Sequence, residues 1–170
     1  MTDTAPASPS ARELTRARLA RRALLAVFAV VLALGATGRL GVRTAHATGE
    51  GGGYALRVEY PRVTRPGHAV PLSIQVTKAG GFGGEPIQVR MSTRYFALFD
   101  ENGVQPAPSA ETATATDLMW EFDPPPGDVL RIYFDTRTGP NVQRGKSGEV
   151  AVLDGGKPAV SVRIRTTVMP

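Results

Sequence analysis

Two hydrophobic patterns divide the chain. From Tyr54 onward, apolar residues alternate with polar ones at a period of two, and helical periodicity is absent. Tyr54, Leu56, Val58 and Tyr60 share one face, while Ala55, Arg57 and Glu59 share the other. The same alternation places Val70, Leu72, Ile74 and Val76 together, then Ile87, Val89 and Met91, then Leu118, Trp120 and Phe122. It recurs at Leu130, Ile132 and Phe134, briefly at Val150 and Val152, and finally at Val160, Val162, Ile164 and Val168. Such segments set one face on a core and the other in water, as antiparallel sheets do. Turn chemistry separates them at Arg65-Pro66-Gly67-His68, at the glycines around Phe82, at Asp100-Glu101-Asn102-Gly103 and at Pro124-Pro125-Pro126-Gly127. A further turn, Asp154-Gly155-Gly156-Lys157, predicts a terminal hairpin. Residues 104–116, rich in Pro, Ala, Ser and Thr, read as a long loop or a weak edge strand.

The second pattern lies upstream. Residues 23–38 form an uncharged, mostly apolar run, preceded by Arg12, Arg16, Arg18, Arg21 and Arg22 and followed by only Arg39 and Arg43. A basic flank before an apolar run marks a signal peptide or a signal anchor, and the arginine bias places the N-terminus in the cytoplasm and the rest outside. Residues 1–22 read as a disordered basic arm, 23–42 as a single-pass anchor and 43–53 as a glycine-rich linker. Alternatively, Ala45-His46-Ala47 is an A-x-A cleavage pattern that would release a secreted domain starting at Thr48. Both routes export the C-terminal part.

Seven or eight strands in about 115 residues match an immunoglobulin-like antiparallel β-sandwich, with a small barrel as the other all-β closure. The stretch Pro66-Gly67-His68-Ala69-Val70-Pro71-Leu72-Ser73-Ile74-Gln75-Val76 resembles the first turn and second strand of bacterial surface Ig-like repeats. The segments Leu118-Met119-Trp120, Pro126-Gly127-Asp128 and Ile132-Tyr133-Phe134 are similar to their later strands, so the resemblance spans most of residues 54–168. It implies a non-catalytic module. The Ala, Arg, Gly and Pro bias is that of a high-GC bacterial genome.

Charge removes one class of partner. The isoelectric point near 10.1 suggests nucleic acid, yet the excess is local. Of the 20 basic and 15 acidic residues, seven Arg and two acids fall in residues 1–47, which leaves 13 of each sign in residues 48–170. A neutral domain lacks the basic footprint of phosphate-backbone binding. Cysteine is absent, so disulfides and thiolate chemistry are excluded.

Candidates for catalysis are few. His46 lies beside the predicted cleavage point and His68 in a Pro-Gly turn, without patterned ligands near either. Gly145-Lys146-Ser147 spells the end of a phosphate loop, but Gly139 is one residue too far upstream and no helix is predicted to follow. Asp123 and Asp128 flank a proline loop as a conceivable calcium pair, although turn hydrogen bonding explains them equally. The expectation is therefore a protein that is not an enzyme and holds no metal or cofactor. Its partner is expected to be another envelope protein, with a carbohydrate- or calcium-binding module as the alternative. Two surface sets are candidates for docking. Arg90 and Arg94 on one strand and Arg163 and Arg165 on another form a cationic patch if those strands are neighbours. Phe82, Phe96 and Leu98 form an apolar contact set if they are exposed rather than core. In the segment Tyr95-Phe96-Ala97-Leu98-Phe99 the alternation breaks, as for a strand buried on both faces.

Overall fold

The structure, a computed structural model, describes residues 11–36, 42–142 and 144–169, with side chains from residue 16 onward. The leader and the β unit beginning at Val42 are separate compact units. Helix α1 (Ala11–Ala36) carries the apolar run. Its Arg16–Ala36 portion, 21 residues of mean hydropathy 2.0, is long and apolar enough to cross a membrane, at about 31 Å of helix. The basic segment from residue 11 to residue 22 is helical, not a disordered arm, because its Ala, Leu and Arg favour helix and extend one already nucleated. Residues 1–10 of that arm, and most of the expected C-terminal end of the span, lie outside the described residues.

The β unit is a curled, ten-stranded, mixed sheet, which bears out the all-β expectation. Its strands are β1 (Arg43–Gly51), β2 (Tyr54–Thr64), β3 (Ala69–Lys78), β4 (Ile87–Ser92), β5 (Phe99–Gln105), β6 (Ala110–Ala113), β7 (Asp117–Phe122), β8 (Val129–Thr138), β9 (Lys146–Asp154) and β10 (Lys157–Val168). The hydrogen-bonded order is β5-β8-β3-β2-β10-β9-β4-β7-β6, with β1 on β2. All pairings are antiparallel except β2 with β10, where Val63 and Thr64 face Thr167 and Val168 in parallel. The Asp154–Lys157 turn closes the β9–β10 hairpin. Residues 104–116 supply part of β5 and all of β6, at the two ends of the order.

Curling brings the two halves of the sheet face to face over one core. Trp120 on β7 meets Phe134 on β8 edge to face, ring centroids 5.2 Å apart, a geometry that satisfies the ring quadrupoles. The alternation predicted from sequence holds along β8, where Leu130, Ile132 and Phe134 are buried between exposed Arg131, Tyr133 and Asp135. The ends of the strand order also approach one another. The Glu101 carboxyl on β5 is raised by burial and, secondarily, by Glu111 on β6.

The buried threonines Thr64, Thr136, Thr138 and Thr166 each find a partner. Thr64 and Thr138 hydroxyls lie 2.8 Å apart, and Thr136 donates to the Val70 carbonyl at 3.0 Å. Thr166 donates to the Pro61 carbonyl and receives the Tyr95 hydroxyl at 2.8 Å. The last chain ties together β2, β10 and the one-turn helix α2 (Thr93–Phe96).

The predicted linker 43–53 is instead mostly strand. β1 pairs with β2 from Arg43↔Val63 to Gly51↔Tyr54. Its glycines are explained by contact rather than by slack. A Cβ on Gly51 would stand 2.5 Å from the Ala159 carbonyl oxygen, and one on Gly49 2.9 Å from Val162 Cγ1. β1 thus lies against β10 at a separation that excludes side chains.

Candidate functional site

The apolar docking set does not form a surface. Phe82 and Leu98 are 4% and 0% exposed. Four glycines with positive φ, Gly80, Gly81, Gly83 and Gly84, let the loop turn Phe82 inward. Phe96 is half-buried, with its ring edge-on to Trp120 at 5.3 Å and to Phe134 at 5.8 Å. The alternation breaks at 95–99 because α2 replaces a strand there, and a helical turn buries Tyr95 and, just beyond it, Leu98 on the same side.

The cationic set is dispersed as well. Strand β9 intervenes between β4 and β10, so the two arginine pairs are not on neighbouring strands. Arg94 belongs to α2, not to β4. Arg90 is engaged by Glu149 at 2.7 Å and by Asp117 at 3.7 Å, and Glu149 also sits opposite Arg163 in the ladder. Arg163 and Arg165 remain exposed on β10. The acids of β7 and β9 neutralise what sequence spacing alone suggested was a patch.

The phosphate-loop spelling also has a packing explanation. Gly145 abuts the Thr166 carbonyl and Gly148 lies directly under the Tyr95 ring, with no space for a Cβ at either. Lys146 opens strand β9 rather than a helix. His68 sits in its exposed turn with Nδ1 3.2 Å from the Pro66 carbonyl. Asp123 and Asp128 are exposed loop residues. Among the described residues, no group of three His, Cys, Asp or Glu side chains is arranged to hold a metal ion.

A different surface assembles from residues that alternation placed on the wet face, joined by His46 and Thr48 of the expected linker and Gln105 of the expected loop. Ladder register aligns the outward side chains of β1, β2, β3, β8 and β5 into two rows across the sheet. One row runs His46–Glu59–Ser73–Tyr133–Gln105. The next runs Thr48–Arg57–Gln75–Arg131. The side chains of these rows border a shallow depression of about 300 Å³. It continues along Thr48, Glu50, Arg57, Gln75 and Thr77 into a second depression.

The two arginines of these rows keep donors open to solvent. Arg131 Nε donates to Gln75 Oε1 at 3.3 Å, which fixes the guanidinium while its outer N–H groups stay open to solvent. The Gln75 amide nitrogen is left as a donor. Ser73 donates to Glu59 at 3.4 Å and so occupies part of the only carboxylate in the two rows. Arg57 is exposed and forms no ion pair among the described residues. Tyr133, 56% exposed, is the one large aromatic or aliphatic side chain laid open on the strands from β2 onward.

Planar donors and one aromatic ring border this depression, an arrangement able to hold a ligand, and the Ser73–Glu59 pair lies in the same row with His46 opposite Glu59. The sequence contained each of these residues, but only pairing of β8 and β5 with the consecutive strands β1, β2 and β3 collects them. No known protein-family model matches the chain, and no curated protein resembles it in sequence.

Proposed function

We propose that this chain is a non-enzymatic, membrane-anchored envelope protein. Its extracytoplasmic Ig-like β-sandwich uses the depression on the outer face of the β1-β2-β3-β8 layer to recognise a ligand. The observation that carries the reading is the depression bordered by Arg57, Gln75, Arg131 and Tyr133 in register. The strand order supports the Ig-like assignment. β2-β3-β8-β5 corresponds to an A-B-E-D layer and β10-β9-β4 to a G-F-C layer, although β5 precedes β6 and β7 in the chain.

The position of β1 favours an anchor over a cleaved leader. Cutting after Ala47 would remove Arg43 through Ala47, five residues laddered to β2, and would uncover the β2 edge over which they pair. His46, which lines the depression, would leave with them.

Two measurements on membranes from the native host test this. The intact mass of a C-terminally tagged protein is expected to include residues 1–47. A photo-crosslinking residue at position 133 is expected to capture envelope material, while the same residue at position 163, on the other layer, captures none. An N-terminus at Thr48 refutes the anchor, and equal capture from both positions refutes the face.

A further inference from the structure

We infer that the ligand of this face is an acidic saccharide, a pyranose bearing a carboxylate. The ring is expected to lie on Tyr133 and the carboxylate between Arg57 and Arg131. This rests on the reading above that the outer face of this layer is the recognition surface. Three features converge on that chemistry. First, Arg57 and Arg131 offer guanidinium donors that no ion pair among the described residues occupies, and the complement of such a pair is a negatively charged group. Arg57 and Arg131 flank Gln75 in one row, two strands apart, which is about 10 Å between their backbones. Two long guanidinium side chains at that separation can converge on one carboxylate, which is the geometry arginine forks favour.

Second, Tyr133 lies two residues from Arg131 on the same face of β8, at about 7 Å along the strand. Its ring is open to solvent and its neighbours in the row, Ser73 and Gln105, are hydrogen-bonding residues. A pyranose presents an apolar C–H face to such a ring and hydroxyls to the surrounding amides and carboxylate. Glu59 and Ser73 then serve as hydroxyl partners.

Third, the surface is poorly suited to an acidic protein partner. Protein interfaces centre on a desolvated apolar core with several anchors, and here Tyr133 is the sole exposed aromatic or large aliphatic side chain on the layer. The size of the depression, about 300 Å³, suits one or two sugar units.

The test uses the full chain in lipid nanodiscs on an array of immobilised saccharides bearing uronic, muramic or nonulosonic acids. Each is paired with its carboxyl-reduced or methyl-esterified neutral counterpart. Wild-type protein is expected to bind at least one acidic saccharide and not its neutral counterpart. Arg57→Gln and Arg131→Gln are each expected to weaken binding about 10- to 100-fold, the loss of one charge-assisted contact. Tyr133→Ala is expected to weaken it by a similar factor, while Arg163→Gln leaves it unchanged. All four sites are exposed, so an unchanged thermal midpoint shows that the variants are folded. Binding that ignores the carboxylate, binding that survives all three substitutions, or no saccharide retained at all overturns the inference. The crosslink at position 133 separates that failure from failure of the recognition face itself. Capture of a protein at 133 alongside a blank array keeps the face and discards the saccharide.

Discussion

The chain of hydroxyls that joins Tyr95, Thr166 and the Pro61 carbonyl makes an asymmetric prediction about stability. Tyr95 and Thr166 are 0% and 1% exposed, so neither hydroxyl has water to fall back on. The Tyr95 O–H donates to Thr166 Oγ1 at 2.8 Å and Thr166 donates onward to Pro61. Replacing Tyr95 by Phe removes one donor but strands nothing, because Thr166 keeps its own acceptor, and the cost is about 0.5–1.5 kcal/mol. Replacing Thr166 by Val, close to isosteric, strands the buried tyrosine hydroxyl and also deprives the proline carbonyl of this donor. Each stranded group costs about 1–3 kcal/mol, so the single change, which affects two, is expected to cost about 2–6 kcal/mol. Adding Tyr95→Phe to Thr166→Val then removes one of the two stranded groups, and the double variant is expected to be no less stable than Thr166→Val alone.

Urea denaturation of residues 42–170, a compact unit by themselves, measures all three variants. The readout is fluorescence of the single tryptophan, Trp120, which is fully buried. With an m-value of about 2 kcal/mol/M, a loss of about 2–6 kcal/mol lowers the midpoint by about 1–3 M. If Thr166→Val costs no more than Tyr95→Phe, or the two costs simply add in the double variant, the three groups do not act as a chain and the reasoning fails.

Further outcomes follow from the same interior. Burial raises the Tyr95 phenol well above its ordinary value near 10, the more so because its hydrogen bond to Thr166 only partly offsets the desolvation. The folded state therefore keeps a proton that the unfolded state loses, so this stabilisation is complete below pH 10 and declines above it. The slope approaches about 1.4 kcal/mol per pH unit, and Tyr95→Phe is expected to flatten the loss of stability measured between pH 10 and 12. Gly51→Ala forces a Cβ onto the Ala159 carbonyl and is expected to cost about 1–3 kcal/mol. Gly103→Ala, where nothing lies within 4 Å of the added carbon, is expected to be neutral or to stabilise by up to about 1 kcal/mol; equal midpoints for the pair would sink the close-packing account of β1. Leu98→Ala opens a cavity in the core and is expected to lower stability by about 2–5 kcal/mol, whereas a solvent-facing Leu98 would leave the denaturation midpoint within experimental error of wild type.

Much of the fold was legible in the order of residues, because local physics determined it. Alternation in segments such as 130–134 requires only that one sheet face be dry, so strand positions and buried residues follow without knowledge of neighbours. The Asp154–Lys157 hairpin and the helical potential of the apolar leader are equally local. The glycines of β1 were misread as a linker because their cause is non-local: they let one strand lie against β10, more than 100 residues away, and nothing nearby in sequence signals that contact. The same limit applied to the candidate sites. Arg90 and Arg163 looked like members of one patch until pairing inserted β9 and Glu149 between them, and the segment around Phe96 and Leu98 looked like a possible surface until a single helical turn rotated it into the core. The recognition face is the converse case. Arg57, Gln75, Arg131 and Tyr133 are ordinary wet-face residues in sequence and His46 belongs to the expected linker, and their convergence depends on strand register, which is set by the whole hydrogen-bonded ladder and not by any segment of it. Sequence therefore determined which side chains meet water, while tertiary pairing alone decided which of them meet one another.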